Sequence, residues 1–262
     1  MLGAIIGDTV GSRFEWKNHK SKDFTLFSGE CRLTDDSVMT LAIAKAILAS
    51  REDRSDLSGL AVRCMQQLGR LYPNAGYGGS FARWLRASDP QPYNSYGNGA
   101  AMRISPCGFA ARNLDEAKET ARLVTVVTHD HPEGIKGAEA VASAVFLART
   151  GRTKEEIRNH MEENYYRLDF TLDEIREEYT FDVSCQGSVP QALEAFLESA
   201  DFEDAIRSAV SIGGDSDTIA AIAGGIAEAY YGIPDHLREQ EMAFMDERQR
   251  EILTEFEKVY PR

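Results

Sequence analysis

The chain has 262 residues, with 42 acidic side chains against 29 basic ones and a net charge of −13. That balance argues against a dedicated nucleic-acid surface, so any phosphate it binds must be held locally. Its four cysteines, Cys31, Cys64, Cys107 and Cys185, form no Cys-x-x-Cys pair, the pattern of reduced thiols in a cytoplasmic protein rather than of a disulfide framework.

The amino terminus, MLGAIIGDTVGSRFEW, lacks a basic leader and is interrupted by Asp8, so it does not read as a secretory signal. It predicts a helix over roughly 2–12 with Gly3, Gly7 and Gly11 on one stripe. Each glycine costs ~1 kcal/mol of helix propensity against alanine, and the stripe points to close backbone packing. Asp8 lies inside that helix, where a buried carboxylate needs partners. A second helix opens at Thr34-Asp35-Asp36, with Val38, Leu41, Ala42, Ala46 and Ile47 at helical spacing, and a third carries Leu60, Cys64, Leu68 and Leu71. Around 73–80 and 88–99 the chain turns to Pro, Gly, Asn, Ser and Tyr, which predicts loops, each followed by a helix.

Further helical patterns cover roughly 115–128, 134–149, 187–198, 201–211, 217–231 and 246–258. The charged stretch 152–180 reads as a solvated face and is assigned no chemistry. The apolar run Ile219 to Ala227 has nine residues, against the ~20 a membrane span needs, and is expected to be a core helix. No stretch shows clean strand alternation, and there is no internal repeat. The expected architecture is one all-α domain over residues 1–262, with no membrane partner.

Two acidic clusters, Thr34-Asp35-Asp36 and Asp215-Ser216-Asp217-Thr218, stand roughly 180 residues apart, each where a helical pattern begins. Taken singly, either can be a helix cap with acidic residues complementing the helix dipole. Taken together they supply four carboxylates and two hydroxyls, the oxygen donors of hard cations such as Mg²⁺ and Mn²⁺. Four carboxylates brought to ~5 Å at an effective dielectric of ~20 repel by ~3 kcal/mol a pair, ~20 in all. A domain has only ~5–15 kcal/mol of stability, so the clusters either never meet or are neutralised. Gly213 and Gly214 allow a sharp turn into Asp215.

Gly7-Asp8-x-x-Gly11 with Glu15 after it, Thr34-Asp35-Asp36, Ser95-Tyr96-Gly97-Asn98-Gly99 through Met102-Arg103, Thr128-His129 and Gly213-Gly214-Asp215-Ser216-Asp217-Thr218 occur in that order. Together they resemble the ADP-ribosylglycohydrolase family, across nearly the whole chain. The resemblance implies an all-helical fold and a centre of two divalent metal ions, Mg²⁺ or Mn²⁺. It implies hydrolysis of the C1″ glycosidic bond of an ADP-ribosylated side chain or small molecule. Its metal ligands would be Thr34, Asp35, Asp36, Asp215, Asp217 and Thr218, with Asp217 bridging. Glu15 would be the general acid/base, with Asp215 competing for that role, and Asp8 would support the ligands from behind.

Gly76, Tyr77, Gly78, Gly79 and Ser80 match the family's phosphate loop, and glycine-exposed N–H groups ahead of a helix suit a diphosphate. Ser95, Tyr96, Gly97 and Asn98 would hold the ADP part, Tyr96 or a nearby aromatic stacking on adenine, and His129 would meet the phosphates or proximal ribose. Arg103 has a competing reading as a helix-surface salt bridge. His129 and His131 lack the further ligand that zinc requires. Ser37 stands where many members have a second threonine. The modest length implies trimmed loops around a macromolecular substrate. Two other functions are weighed: a non-catalytic ADP-ribose-binding or crystallin-like structural member, and a two-metal phosphohydrolase releasing AMP.

Overall fold

The computed structural model describes residues 1–262. Fourteen α-helices follow one another: α1 (Leu2–Gly11), α2 (Asp35–Ala49), α3 (Leu57–Leu71), α4 (Gly79–Arg86), α5 (Ser105–Ala110), α6 (Leu114–Thr125), α7 (Pro132–Arg149), α8 (Lys154–Asn164), α9 (Leu172–Ile175), α10 (Cys185–Glu198), α11 (Phe202–Val210), α12 (Ser216–Tyr231), α13 (Asp235–Met242) and α14 (Glu247–Val259). A single turn of 3₁₀-helix, Asn98–Ala100, sits between α4 and α5, and the only β feature is an isolated antiparallel bridge between Gly97 and Ser184. The fold is all-α.

Helix α12 is the axis of the molecule, packing against α1, α2, α5, α7, α10 and α11. Every residue from Ser216 to Ala229 is buried, which is why this helix is apolar on all sides rather than amphipathic. All of α1 is buried too, and its glycine stripe faces α12. A Cβ on Gly3 would overlap the backbone of Gly224, one on Gly7 that of Ala220, and one on Gly11 would lie 2.5 Å from Cα of Asp217. The two backbones touch, and that contact carries Asp8 to the helix that starts beside Asp217.

The charged stretch 152–180 holds two helices the apolar pattern does not reveal, α8 and α9. Each opens on a capping box, Thr153 with Glu156 and Thr171 with Glu174, in which side chain and backbone satisfy each other's free groups. Only Ile157 and Met161 of α8 and Leu172 of α9 are buried, too few to stand out against the surrounding charge. All four cysteines are buried and unpaired. No helix is long and apolar enough to cross a membrane.

Candidate functional site

The two acidic clusters meet. Gly213 and Gly214 both adopt left-handed backbone, φ +70° and +72°, which only glycine takes readily, and Asn18 Oδ1 accepts the Gly214 N–H at 3.1 Å. The turn delivers Asp215 to the start of α12, but its side chain caps nothing there. Its Oδ2 instead accepts the Asn98 amide at 2.7 Å. At the other cluster Thr34 is a true N-cap, its hydroxyl accepting the Asp36 N–H at 3.3 Å. The capping interpretation therefore holds for Thr34 and fails for Asp215.

Carboxylate oxygens of Asp8, Asp36 and Asp217 lie within 4.8 Å of one another, and so do those of Glu15, Asp215 and Asp217. Asp217 is common to both sets. Asp8 is saturated: it accepts the Thr34 N–H at 2.9 Å, the Thr34 hydroxyl at 2.6 Å, the Ser37 N–H at 3.0 Å and the Ser37 hydroxyl. It therefore locks the first turn of α2 from behind, and Ser37 has a structural task there. Oδ1 of Asp36, by contrast, is buried with no partner. A buried orphan oxygen among carboxylates, with no nitrogen or sulfur donor in either set, fits a hard divalent cation. Asp35 is outside these closest carboxylate sets.

Burial, and then mutual repulsion, raises the carboxyl pKa values throughout the cluster. Asp35 is pushed up to about 7 by desolvation and Asp8, and Asp36 and Asp217 go well above the ordinary range by burial and then by their acidic neighbours, Asp8 first for Asp36 and Asp36 first for Asp217. Asp8 and Asp215 rise through burial, Glu15 through burial and the charge of Asp215. Glu241, whose Oε1 accepts the Thr9 hydroxyl at 2.8 Å, rises through burial as well. Acids whose pKa values are raised in the native state bind more protons there than when unfolded, so stability falls as pH rises from ~4 through ~7 and beyond. In chelator the melting temperature is expected to drop on the order of 5 °C between pH 5 and pH 8, as for a ~2 kcal/mol loss in a chain of this size. Mg²⁺ or Mn²⁺ should shrink that drop. A melting temperature that rises over this interval in chelator would refute the repulsive cluster.

Above the carboxylates is a cavity of about 460 Å³, within the ~300–1,000 Å³ of small-molecule sites. Its wall includes Glu15, Asp35, Asp36, Asp215, Asp217 and Thr218. Gly76, Gly78, Gly79 and Ser80 line another side, leading into α4, and Ser95, Gly97, Asn98 and His129 a third. Thr34, Tyr77 and Tyr96 are not in the wall. Tyr77 turns its ring toward Phe81, centroids 5.7 Å apart, and Tyr96 is half-exposed beside His131 at 5.3 Å. The aromatic faces in the wall are Trp16, Phe81, Tyr93 and Phe181. Trp16 and Phe181 stack at 4.9 Å, a pairing of distant segments that no local motif announces. A larger cleft of about 750 Å³ beside the chain termini contains none of these residues.

Two side chains depart from the surface or ligand readings. Arg103 makes no salt bridge; only 1% of it is exposed, and it too is in the cavity wall. Burial brings its guanidinium down to about 10, so it is charged at neutral pH. His131 caps α7, accepting the Glu133 N–H at 3.1 Å.

Fold and site together define an all-helical protein with a buried oxygen-donor centre beneath a glycine-lined cavity. The family model for ADP-ribosylglycohydrolase matches residues 1–260, and the chain belongs to that family. ADP-ribosylhydrolase ARH3 of Homo sapiens is 28% identical over 311 residues, covering 89% of this chain and 84% of that protein. ADP-ribosylarginine hydrolase Tri1 of Pseudomonas putida (strain GB-1) is 27% identical over 272 residues, 89% of this chain and 70% of that protein. A solved structure described as an ADP-ribosylglycohydrolase-related protein complex matches with a TM-score of 0.67 at 26% identity, covering 93% of each chain.

Proposed function

We propose that the chain is a metal-dependent hydrolase that releases ADP-ribose from an N- or O-glycosidic adduct on a side chain or small molecule. The observation that supports it best is Asp217, shared by two oxygen-only carboxylate sets at the base of the cavity. Thr34, Asp35, Asp36, Asp215, Asp217 and Thr218 would hold two divalent ions, Mg²⁺ or Mn²⁺, the Thr34 hydroxyl being oriented by its bond to Asp8. When bound, such ions supply orientation of the distal ribose hydroxyls and a more acidic water.

The chain's own residues do the rest. Gly78, the N-cap of α4, offers no side chain, so the first N–H groups of that helix are free to face a diphosphate. Asn98 donates one amide hydrogen to Asp215 and fixes its carboxylate, while Ser188 accepts the other at 2.9 Å. Glu15 is half-buried with its carboxyl pKa raised, which suits a group that takes a proton from the attacking water as the C1″ bond to nitrogen or oxygen breaks and returns one to the leaving group. Glu15→Gln is expected to lower kcat by about 10²–10⁴-fold and to leave the affinity for ADP-ribose within about threefold. Equal turnover by the variant would remove Glu15 from the chemistry.

The deciding assay offers arginine-, serine- and O-acetyl-linked ADP-ribose with Mg²⁺ or Mn²⁺ and weighs the products by mass. Free ADP-ribose that vanishes with chelator is expected. AMP with ribose phosphate would make the protein a phosphohydrolase. Binding of ADP-ribose without turnover would make it a non-catalytic member, for which a repulsive, buried carboxylate cluster has no use.

A further inference from the structure

Arg103 is a buried cation without an anionic partner, and it leads to His129. Its guanidinium makes one hydrogen bond, Nη2 donating to the Thr128 hydroxyl at 2.7 Å, and its Nε is buried without any. The Thr128 hydroxyl has one proton of its own and two acceptors in reach, His129 Nδ1 at 2.7 Å and the Thr125 carbonyl at 3.3 Å. The shorter bond lies toward the histidine. The adjoining guanidinium favours the same direction: it polarises the hydroxyl as a donor, and it disfavours a second N–H aimed at that oxygen from the imidazole. A neutral imidazole that accepts at Nδ1 must carry its hydrogen at Nε2. That nitrogen lies over the backbone of Gly97 and Gly99, where an added Cβ would stand 3.6 and 3.4 Å from it, in the wall of the cavity.

We infer that Arg103 and Thr128 form a relay that holds His129 as the Nε2–H tautomer, so that the phosphate contact the family resemblance implies for His129 is made by a neutral N–H donor over Gly97 and Gly99. The choice of ligand rests on the proposed function; the tautomer does not. Burial and the Arg103 charge keep the His129 pKa well below its ordinary value, in keeping with a donor that stays neutral. Arg103 and Thr128 are positioning residues. The buried guanidinium also places a positive charge in the wall of a cavity whose floor is acidic, so the phosphate end of a ligand and its distal ribose meet opposite fields.

Nitrogen-15 NMR of the imidazoles reads the tautomer directly, with His129→Gln identifying the signal. In the wild-type protein Nε2 is expected to be the protonated nitrogen, in Thr128→Ser likewise, and in Thr128→Val the assignment should be lost to a mixture. Calorimetry with ADP-ribose and with ADP should show affinity about 10–100-fold weaker in Thr128→Val, the span of a hydrogen bond to a charged group, and restored in Thr128→Ser. KM should rise by the same factor with kcat within about twofold, since the contact is made equally before and during reaction. A protonated Nδ1 in the wild-type protein overturns the relay. An altered tautomer with unchanged affinity for both nucleotides overturns the phosphate contact. Binding that responds as expected in a protein that hydrolyses nothing would support the relay and refute the proposed activity instead.

Discussion

Replacing Asp217 by asparagine is expected to move stability and activity in opposite directions. Asp217 is the one carboxylate common to both acidic sets, and burial, Asp36 and Asp215 raise its pKa. Asparagine removes the cost of ionising or protonating a crowded carboxyl, at most ~3 kcal/mol per close pair at an effective dielectric of ~20, so in chelator at and above neutral pH the variant should melt higher than the wild-type protein. It should also lose most of the thermal stabilisation that Mg²⁺ or Mn²⁺ provides, because binding to the native state raises stability only as far as affinity allows. Activity should fall at least ~10³-fold, about 4 kcal/mol of barrier. A variant that melts lower in chelator and keeps its response to metal would show that Asp217 is a structural cap and no more.

The second large effect is expected at a residue with no side chain to offer a ligand. Gly7→Ala adds one methyl group where α1 and α12 touch, and that Cβ would overlap the Ala220 carbonyl. Alanine gains ~1 kcal/mol of helix propensity, whereas overpacking a core costs ~1–3 kcal/mol and more where backbone must move. The clash wins. Gly7→Ala should lose at least ~3 kcal/mol and, because separating the helices separates Asp8 and Asp36 from Asp217, it should lose the metal-induced rise in melting temperature as well. Gly29→Ala, whose Cβ would meet nothing within 4 Å, is the control and should leave melting and activity unchanged. A Gly7→Ala protein that melts within ~1 °C of the wild-type protein would refute the tight helix contact.

These residues also show what the sequence makes legible. The glycine stripe, the turn before Asp215 and the apolar run of α12 are local patterns with one cheap physical explanation each, and the structure has all three. The loops around 73–80 and 88–99 were legible for the same reason. Helices α8 and α9 carry a local signal too, the Thr-x-x-Glu capping boxes, but charge density hides it. Side-chain direction is another matter. Tyr77 and Tyr96 fall within glycine-rich segments that reach the cavity, yet neither is in its wall: Tyr77 packs on Phe81 and Tyr96 on His131. Arg103 follows a 3₁₀ turn, and nothing in its neighbours says whether it faces water or the interior; it is held inside by distant partners, the Phe81 ring of α4 and the Thr128 hydroxyl. The Trp16 and Phe181 stack and the closeness of Glu15 to Asp215 depend on how distant segments dock, a property that spacing along one chain does not carry.

The orphaned oxygen of Asp36 and its crowded neighbours have a consequence for the protein's lifetime. Repulsion built into the native fold is relieved by whatever cation or proton arrives, so the fraction of molecules that open, and are cut by proteases when they do, should follow the supply of divalent metal. Starved of metal, a chain with the proposed two-ion centre would be cleared before it idled, and its abundance would serve as a record of the ion supply.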